Sequence, residues 1–430
     1  PACFATMGAM ISGGLFLIAG WIWTPLGRLL AGFCYFCLKF LTGLIDWAAE
    51  WPGSYFWTPG PASWWLAGFY GGLAAWLVWL RRRWSLRWAV AALGVWIALG
   101  LWANPILQSL RRREPGQWEC TFLSVGHGLA VVLHLPDGQT WLYDAGSVGP
   151  PERTAELIAG YLWSRGIRRL DAVFLSHADQ DHYNALPELM EQISIDRVIM
   201  PPGMLRQIGQ LGMAEQPASS SEKSPAGGAV CQKAAATDQA KEGVSVDSRQ
   251  ENRQGKPSGG EAPLSKLYDA IRREGGFIYS IHAPWSWQPA PGMTCWVFHP
   301  PAQGVPGNDN ANSLVLGLEI HGRRVLLAGD LEPPGIQRVL VQPRWPCDLM
   351  LVPHHGSRKS MPAALAEWCR PHWAVISGGR LLPTKETEHH YRSAGARIVH
   401  TGRHGAILAE LSPQQVRLRT QWPVEDTHTP

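Results

Sequence analysis

The first 110 residues of this 430-residue chain are nearly devoid of charge. Arg28, Lys39, Asp46, Glu50, Arg81, Arg82, Arg83 and Arg87 are the only ionised side chains there, and the same stretch holds 13 of the 23 tryptophans. That lack excludes an ordinary soluble domain, whose surface is rich in charged side chains. The eight cysteines show no framework spacing, and Cys34-Tyr-Phe-Cys37 has no second pair, which argues against a zinc ribbon and for a helix face. A net charge of +4 is too small to argue for nucleic acid on electrostatics alone. No stripe of interleaved aromatic and basic residues suggests a groove for a single strand. Residues 214–262 almost lack large apolar side chains, so they cannot bury enough surface to offset their ordering entropy and are expected to be a disordered insertion.

What the first 110 residues do contain is lipid-compatible. Residues 1–27, 62–80 and 88–103 are apolar stretches, the first uncharged from Pro1 to Gly27, and the latter two read as a helical hairpin. Between them Leu30, Phe33, Cys37, Phe40 and Leu44 recur at helical spacing, the pattern of an interfacial or bundle-packed helix over 29–45. Tryptophans 57, 64, 65, 79, 84 and 102 suit an interfacial belt. Four arginines at 81–83 and 87 favour a cytoplasmic turn against three at 111–113, which places the remainder outside. The start at Pro1, inside an apolar run, suggests a piece of a longer protein. The expected organisation is transmembrane or interfacial helices over 1–110, a folded domain over 115–415 and a tail over 416–430.

From Trp118 onward, short apolar runs that end in glycine or polar residues alternate with helical stretches, as expected for layered α/β. One of these runs, DAVFLS, leads straight into His177-Ala178-Asp179-Gln180-Asp181-His182. Histidine and aspartate on a sharp loop after a strand can converge on a divalent ion at about 2.0–2.2 Å. Spacing suggests that His177 and Asp179 face one ion and that Asp181 and His182 face its neighbour; the bland alternative is a polar turn with a helix N-cap. RVLLAGDL ends another strand at Asp330, where a carboxylate can bridge two ions, and VPHHGS ends a third at His354 and His355. Two ions about 3.5–4 Å apart can polarise a phosphoryl or carbonyl oxygen and clamp a leaving group. Mixed imidazole and carboxylate donors are compatible with zinc, manganese or iron.

These motifs, in this order, resemble the metallo-β-lactamase fold. More narrowly, FLSVGHGLAVVLHLPDGQTWLYDAG, FLSHADQDHYNAL, NANSLVLGLEI with RVLLAGDLE, DLMLVPHHGSRKS, and AVISGG through TGRHGAI are similar to the C-terminal domain of the ComEC/Rec2 family, polytopic channels of bacterial DNA uptake. The resemblance covers roughly residues 118–412, and the apolar helices before it look like the end of the family's competence domain. It implies an αββα sandwich preceded by transmembrane helices, with two divalent ions, manganese or zinc, at one edge. The implied metal ligands are His177, Asp179, Asp181, His182, Asp330 as the bridge, and His355. Asp181 and His354 are the catalytic candidates, and Asn312, Ser313 and Ser357 are candidates for touching substrate. Implied partners are single-stranded DNA, the lipid bilayer, the N-terminal remainder of a channel and other competence proteins. The sequence departs from the family in two places. Where the family usually has Asp-Val-Gly-Gln-Gly-Asp-Ala, this chain has Ser124-Val-Gly-His127-Gly-Leu129-Ala, and its usual His-Pro-His stretch is replaced near 381–390 by LLPTKETEHH, with His389 and His390. Metallo-β-lactamase enzymes also carry a histidine between the first motif and the bridging Asp; His299 is the candidate for it, against a structural role.

The expected activity is hydrolysis of the DNA strand that stays outside the cell. The alternatives are an envelope phosphodiesterase for another ester, such as choline phosphate, and a non-catalytic domain that binds DNA or caps a pore.

Overall fold

The computed structural model describes residues 2–49, 51, 63–77, 86–110, 116–214, 263–274 and 277–423. The expected disordered insertion, except residue 214, and the arginines at 81–83 and 111–113 lie outside them. Two compact units result, residues 1–58 and 59–430.

In the first unit, Ala2–Ile22 (α1) and Thr24–Ala49 (α2) pack together as a helical pair broken at Trp23. Pro25 falls in the first turn of α2, where its missing N–H costs nothing. Small residues let the helices approach: a Cβ on Gly8 would lie 3.1 Å from Cys37 Sγ, and the Cys34 thiol donates to the Ala9 carbonyl. The C-x-x-C pair is therefore a packing face. Both helices are long and apolar enough to cross a membrane, over Cys3–Ile22 and Thr24–Ala48. The interfacial or bundle-packed helix expected over 29–45 is longer than that stretch. Its apolar residues continue back to Thr24, and the fuller length of about 25 residues is that of a span.

In the second unit, Ser63–Ala75 (α3) and Leu86–Leu110 (α4) face each other through Trp65 and Trp96. The indole of Trp65 donates to the Trp96 carbonyl at 2.7 Å, and that of Trp96 donates back to the Trp65 carbonyl at 3.3 Å.

The rest of this unit holds two large sheets and, apart from their strands, a small parallel pair formed by Arg169–Leu170 and Ser194–Ile195. The strands in chain order are Trp118–Phe122 (β1), Gly128–His134 (β2), Thr140–Ser147 (β3), Ala172–Phe174 (β4), Arg197–Met200 (β5), Phe277–Ser280 (β6), Trp285–Trp287 (β7), Met293–His299 (β8), Val315–Ile320 (β9), Arg323–Leu327 (β10), Leu349–Leu351 (β11), Trp373–Ile376 (β12), Arg397–His400 (β13), Ile407–Leu411 (β14) and Val416–Thr420 (β15). The first sheet runs β15-β14-β1-β2-β3-β4-β5-β6 and the second β13-β12-β11-β10-β9-β8-β7. β15 pairs antiparallel with β14, so the expected tail from 416 begins as an edge strand.

Side-chain alternation creates three apolar layers. Along β3, Trp141 and Tyr143 enter the core between the sheets, while Leu142 and Ala145 turn out toward the helices Pro151–Ser164 and Leu186–Met190. Along β11, Leu349 and Leu351 point in and Met350 points out, under the helix Pro362–Cys369. A strand covered on both faces must be apolar throughout, and DLMLV is. The result is the αββα sandwich of the metallo-β-lactamase fold.

This topology also sets where chemistry can occur. β3, β4 and β5 run parallel, as do β10, β11, β12 and β13. Their C-terminal ends therefore deliver Asp144, His177, Asp330, His355 and Ser377 to one edge. Open α/β sheets place ligands at such an edge.

Candidate metal centre

The loop after β4 is short and braced. Asp144, buried with a left-handed φ of 59°, accepts from the Ser176 amide at 2.7 Å through Oδ1. Its Oδ2 accepts from the Ser176 hydroxyl at 2.7 Å and from His182 Nδ1 at 2.8 Å. Because the Ser176 proton goes to Asp144, its oxygen accepts from His177 Nδ1, 2.9 Å away. His355 Nδ1 likewise donates to the Ser377 carbonyl at 3.1 Å. Each of these rings commits Nδ1–H, so each neutral ring presents a bare Nε2. The Nε2 atoms of His177, His182 and His355 are buried and have no hydrogen-bond partner. Three such orphans in one place is the mark of a missing ligand.

Two carboxylates stand among them. Asp330 Oδ1 is 3.3 Å from His182 Nε2 and its Oδ2 is 3.6 Å from His355 Nε2, so its two oxygens face two directions. Asp181 Oδ2 lies 3.5 Å from His355 Nε2 and 3.9 Å from His182 Nε2. The donors gather into two triads, His177 with His182 and Asp330, and His127 with Asp181 and His355. Asp179 marks the start of the helical turn Gln180–Tyr183 but makes no side-chain cap; its carboxylate sits 3.4 Å from His177 Nε2 instead.

The electrostatics suit a cation. Burial alone would raise the Asp330 carboxyl, but His182 and His355 outweigh it and hold the group well below the ordinary carboxylate range. Burial would lower the His182 ring, yet Asp330 and Asp144 outweigh it and raise the ring well above the usual imidazole value. The same field that holds a proton on His182 favours a divalent ion, which competes for that nitrogen. Burial would also raise Asp181, and the neighbouring His355 and His182 rings reverse this.

The centre closes because Gly329 has no side chain. Its φ is 52°, and a Cβ there would lie 2.8 Å from the Ser176 Cβ. His354 and His355 both hold φ near 50°, a costly conformation that clusters at functional sites. The His354 amide donates to the Gly329 carbonyl, tying the two loops together. His354 stays partly exposed. Its Nδ1 donates to Glu332 at 2.6 Å, and its Nε2 is 3.8 Å from Asp330 Oδ2.

Several expectations change. Asp181 and His182, with donor atoms 3.9 Å apart, fall in different triads, because successive residues on a helical turn point about 100° apart. His182 joins His177, and Asp181 joins His355. His299 is a structural residue: its Nε2 donates to the Ala311 carbonyl at 2.8 Å, and burial lowers the ring to about 4. His389 and His390 lie on the helix Lys385–Ser393 and are not among the six triad donors. The Asn312 side chain bonds both the amide and the carbonyl of Val305. Ser313 is fully buried with an unpaired hydroxyl, and Ser357 Oγ accepts from the Lys359 amide. The sequence reading noted His127 only as a departure and did not foresee Glu332 or the clamping role of Asp144, whose signal was its place at the end of TWLYDAG.

Fold and site together define a metallo-β-lactamase domain, of a superfamily of metal-dependent hydrolases, and the residues present fit divalent metal. Residues 123–255 match the model of the metallo-beta-lactamase superfamily, and residues 4–83 match that of the competence protein family. The chain thus joins a competence-protein segment to a metallo-β-lactamase domain. It is 25% identical over 270 residues to the ComE operon protein 3 of Bacillus subtilis, covering 62% of this chain and 27% of that protein. It is 25% identical over 430 residues to YcaI of Escherichia coli, an uncharacterized protein, covering 97% of this chain and 44% of that one. Recombination protein 2 of Haemophilus influenzae is 25% identical over 285 residues, or 64% of this chain and 27% of its own length. The chain spans less than half the length of these curated relatives.

Proposed function

We propose that this chain is the catalytic end of a multi-pass membrane protein of DNA uptake, and that its metal centre hydrolyses phosphodiester bonds in the DNA strand left outside the cytoplasmic membrane. The observation that carries the hydrolase part is the convergence of three buried, unpartnered Nε2 atoms on Asp181 and Asp330. The competence segment and the names of the relatives support the DNA part, and the apolar helices α1 and α2 support the membrane part.

His177, Asp179, His182 and Asp330 would hold one ion; Asp181, His355 and the second oxygen of Asp330 would hold the other. Bound divalent ions, manganese or zinc, supply Lewis-acid polarisation of a phosphoryl oxygen and neutralise charge that develops on it. The protein's own part is positioning. Asp144 and Ser176 fix the first two rings before substrate arrives, and the Ser377 carbonyl fixes the third. His354, held through Nδ1–H by Glu332, keeps Nε2 at the exposed side of the cluster; as the doubly protonated ring it would pass the Nε2 proton to the departing ester oxygen and be left as the neutral Nδ1–H form. Arg358 and Arg403 are engaged by Glu386 and Glu388.

The test is metal content and cleavage by the full chain in detergent with manganese or zinc, using a single-stranded oligonucleotide and a small choline phosphodiester. Oligonucleotide cleavage lost in Asp330→Ala is expected. Preference for the small ester would move the assignment to an envelope phosphodiesterase. Metal binding without turnover of either would leave a DNA-binding or pore-capping domain.

A further inference from the structure

We infer that His127 is a metal ligand that completes the second ion's site beside Asp181 and His355. The inference rests on the binuclear reading above and adds a donor to it. Asp181 and His355 supply only one carboxylate and one imidazole beside the shared Asp330. His182, whose Nε2 is 3.9 Å from Asp181 Oδ2, reaches this set but leans toward the other. Its ring centroid is 4.2 Å from that of His177, and its Nε2 is nearer to Asp330 than to Asp181.

His127 comes from the opposite side, on the turn between β1 and β2. Its Nε2 is 4.0 Å from Asp181 Oδ2, its ring centroid is 4.4 Å from that of His355, and the three donor atoms lie within 4.8 Å of one another. Donors on a tetrahedral ion with bonds of about 2.1 Å sit about 3.4 Å apart, so closure needs movements of only about 1 Å. Side-chain rotation in an exposed residue supplies that, and His127 is 43% exposed.

The backbone around it is built for this approach. Gly128 has φ 147°, and a Cβ there would lie 2.4 Å from the Gly146 carbonyl oxygen and 2.8 Å from that of Asp181. The turn is thus pressed against the loop that carries the other ligands. The Val148 amide donates to the His127 carbonyl at 2.7 Å and pins the residue in place. Two alternatives are a histidine that merely stacks on His355 and one that contacts substrate. Neither accounts for an Nε2 placed with Asp181 Oδ2 and His355 Nε2 as one triad.

The experiment compares the full chain in detergent with His127→Ala and His127→Cys. Each is stripped with chelator, then titrated with zinc by calorimetry and with manganese under electron paramagnetic resonance. Loss of a group that merely orients a ligand typically weakens binding about 10- to 100-fold, and loss of a direct ligand at least as much. The wild type is expected to load two ions and, with manganese, to show an exchange-coupled pair. His127→Ala is expected to retain one tight ion, to weaken the second at least about 10-fold, and to lose the coupled signal. His127→Cys, which restores a soft donor, is expected to recover zinc affinity; a stacking role would not be rescued. Two ions of unchanged affinity in His127→Ala overturn the inference and leave the binuclear centre standing. No metal in the wild type overturns both.

Discussion

The two donor triads are built differently. His177, His182 and Asp330 are all buried, and two of them hang from one brace, the Asp144 carboxylate with the Ser176 hydroxyl. His127 and Asp181 are partly open, and His355 is held only by a backbone carbonyl. A closed, pre-organised set tolerates little movement and binds its ion tightly; an open set leaves room for substrate. The difference suggests a division of labour, with one ion as an anchor and the other at the substrate side.

Asp330 belongs to both sets, so its replacement should erase the difference. Asp330→Ala removes the buried carboxylate whose two oxygens face His182 and His355, and leaves buried rings unpaired. Loss of both ions and a fall in DNA cleavage of about 1,000-fold or more are expected, the size of several kcal/mol of transition-state stabilisation. Single-turnover cleavage with metal quantified in the same sample checks this. Activity within tenfold of the wild type would mean that the carboxylate does not bridge.

Asp144 acts on the closed set alone. Asp144→Asn keeps the shape but cannot accept from the Ser176 amide, its hydroxyl and His182 Nδ1 together. The tighter ion should weaken about 10- to 100-fold while the other is little changed. Equal weakening of both would erase the proposed asymmetry.

The open set has its own support, and acid should loosen it. The Ser377 that holds His355 is followed by Gly378, whose amide donates to Thr401 Oγ1; Thr401 also accepts from Ser124, on the turn that carries His127. Next to Thr401, His400 Nε2 donates to the buried Glu388, which also accepts from Thr384, Arg392 and Arg403. Burial lowers the His400 ring from 6.5 to about 4, so the unfolded chain binds a proton there before the folded one does. Stability from this group is present above pH 6.5 and is lost as pH falls toward about 4. For Glu388, burial acts upward but Thr384, His400 and the two arginines outweigh it, lowering the group from 4.5 to about 2. Its contribution is present above pH 4.5 and fades as pH falls toward about 2. The melting temperature of metal-free protein should therefore drop as pH falls from 6.5 to about 4 and drop further toward pH 2, and Glu388→Gln should flatten the part below about 4.5. An unchanged profile in Glu388→Gln would remove this network as the source.

How much of this the sequence disclosed depends on range. Layered α/β was legible because short apolar runs such as DLMLV, and the helical stretches between them, are local patterns, whereas the αββα order came with the family resemblance. The cluster at 177–182 and the pairs at 330 and 354–355 were legible because each follows a strand, and parallel strands end together. The partition into triads was not. It depends on which way a four-residue helix turns Asp181 and His182, and on a loop 50 residues upstream that brings in His127. The helix expected over 29–45, interfacial or bundle-packed, runs from Thr24 to Ala49 and, despite Arg28, Lys39 and Asp46, is apolar enough to cross lipid.

Asn312 offers the smallest effect and separates two roles for the same loop. From the sequence it was a candidate for substrate contact, beside Ser313. In the fold its amide oxygen accepts from the Val305 amide at 2.7 Å and its nitrogen donates to the Val305 carbonyl at 2.9 Å. Both ends of the side chain are thus engaged in closing the loop from 304 to 312, outside either donor triad. Asn312→Ala should cost about 1–2 kcal/mol, from two hydrogen bonds of roughly 0.5–1.5 kcal/mol each. In a unit of this size that lowers the melting temperature by a few degrees, at about 2–4 °C per kcal/mol. Metal stoichiometry should stay at the wild-type value and KM for an oligonucleotide should rise less than about threefold, since 1.4 kcal/mol of lost substrate binding would raise it about tenfold. A tenfold rise in KM with no change in melting would instead assign the side chain to the substrate, and would extend the open side of the centre across the loop that leads into β9.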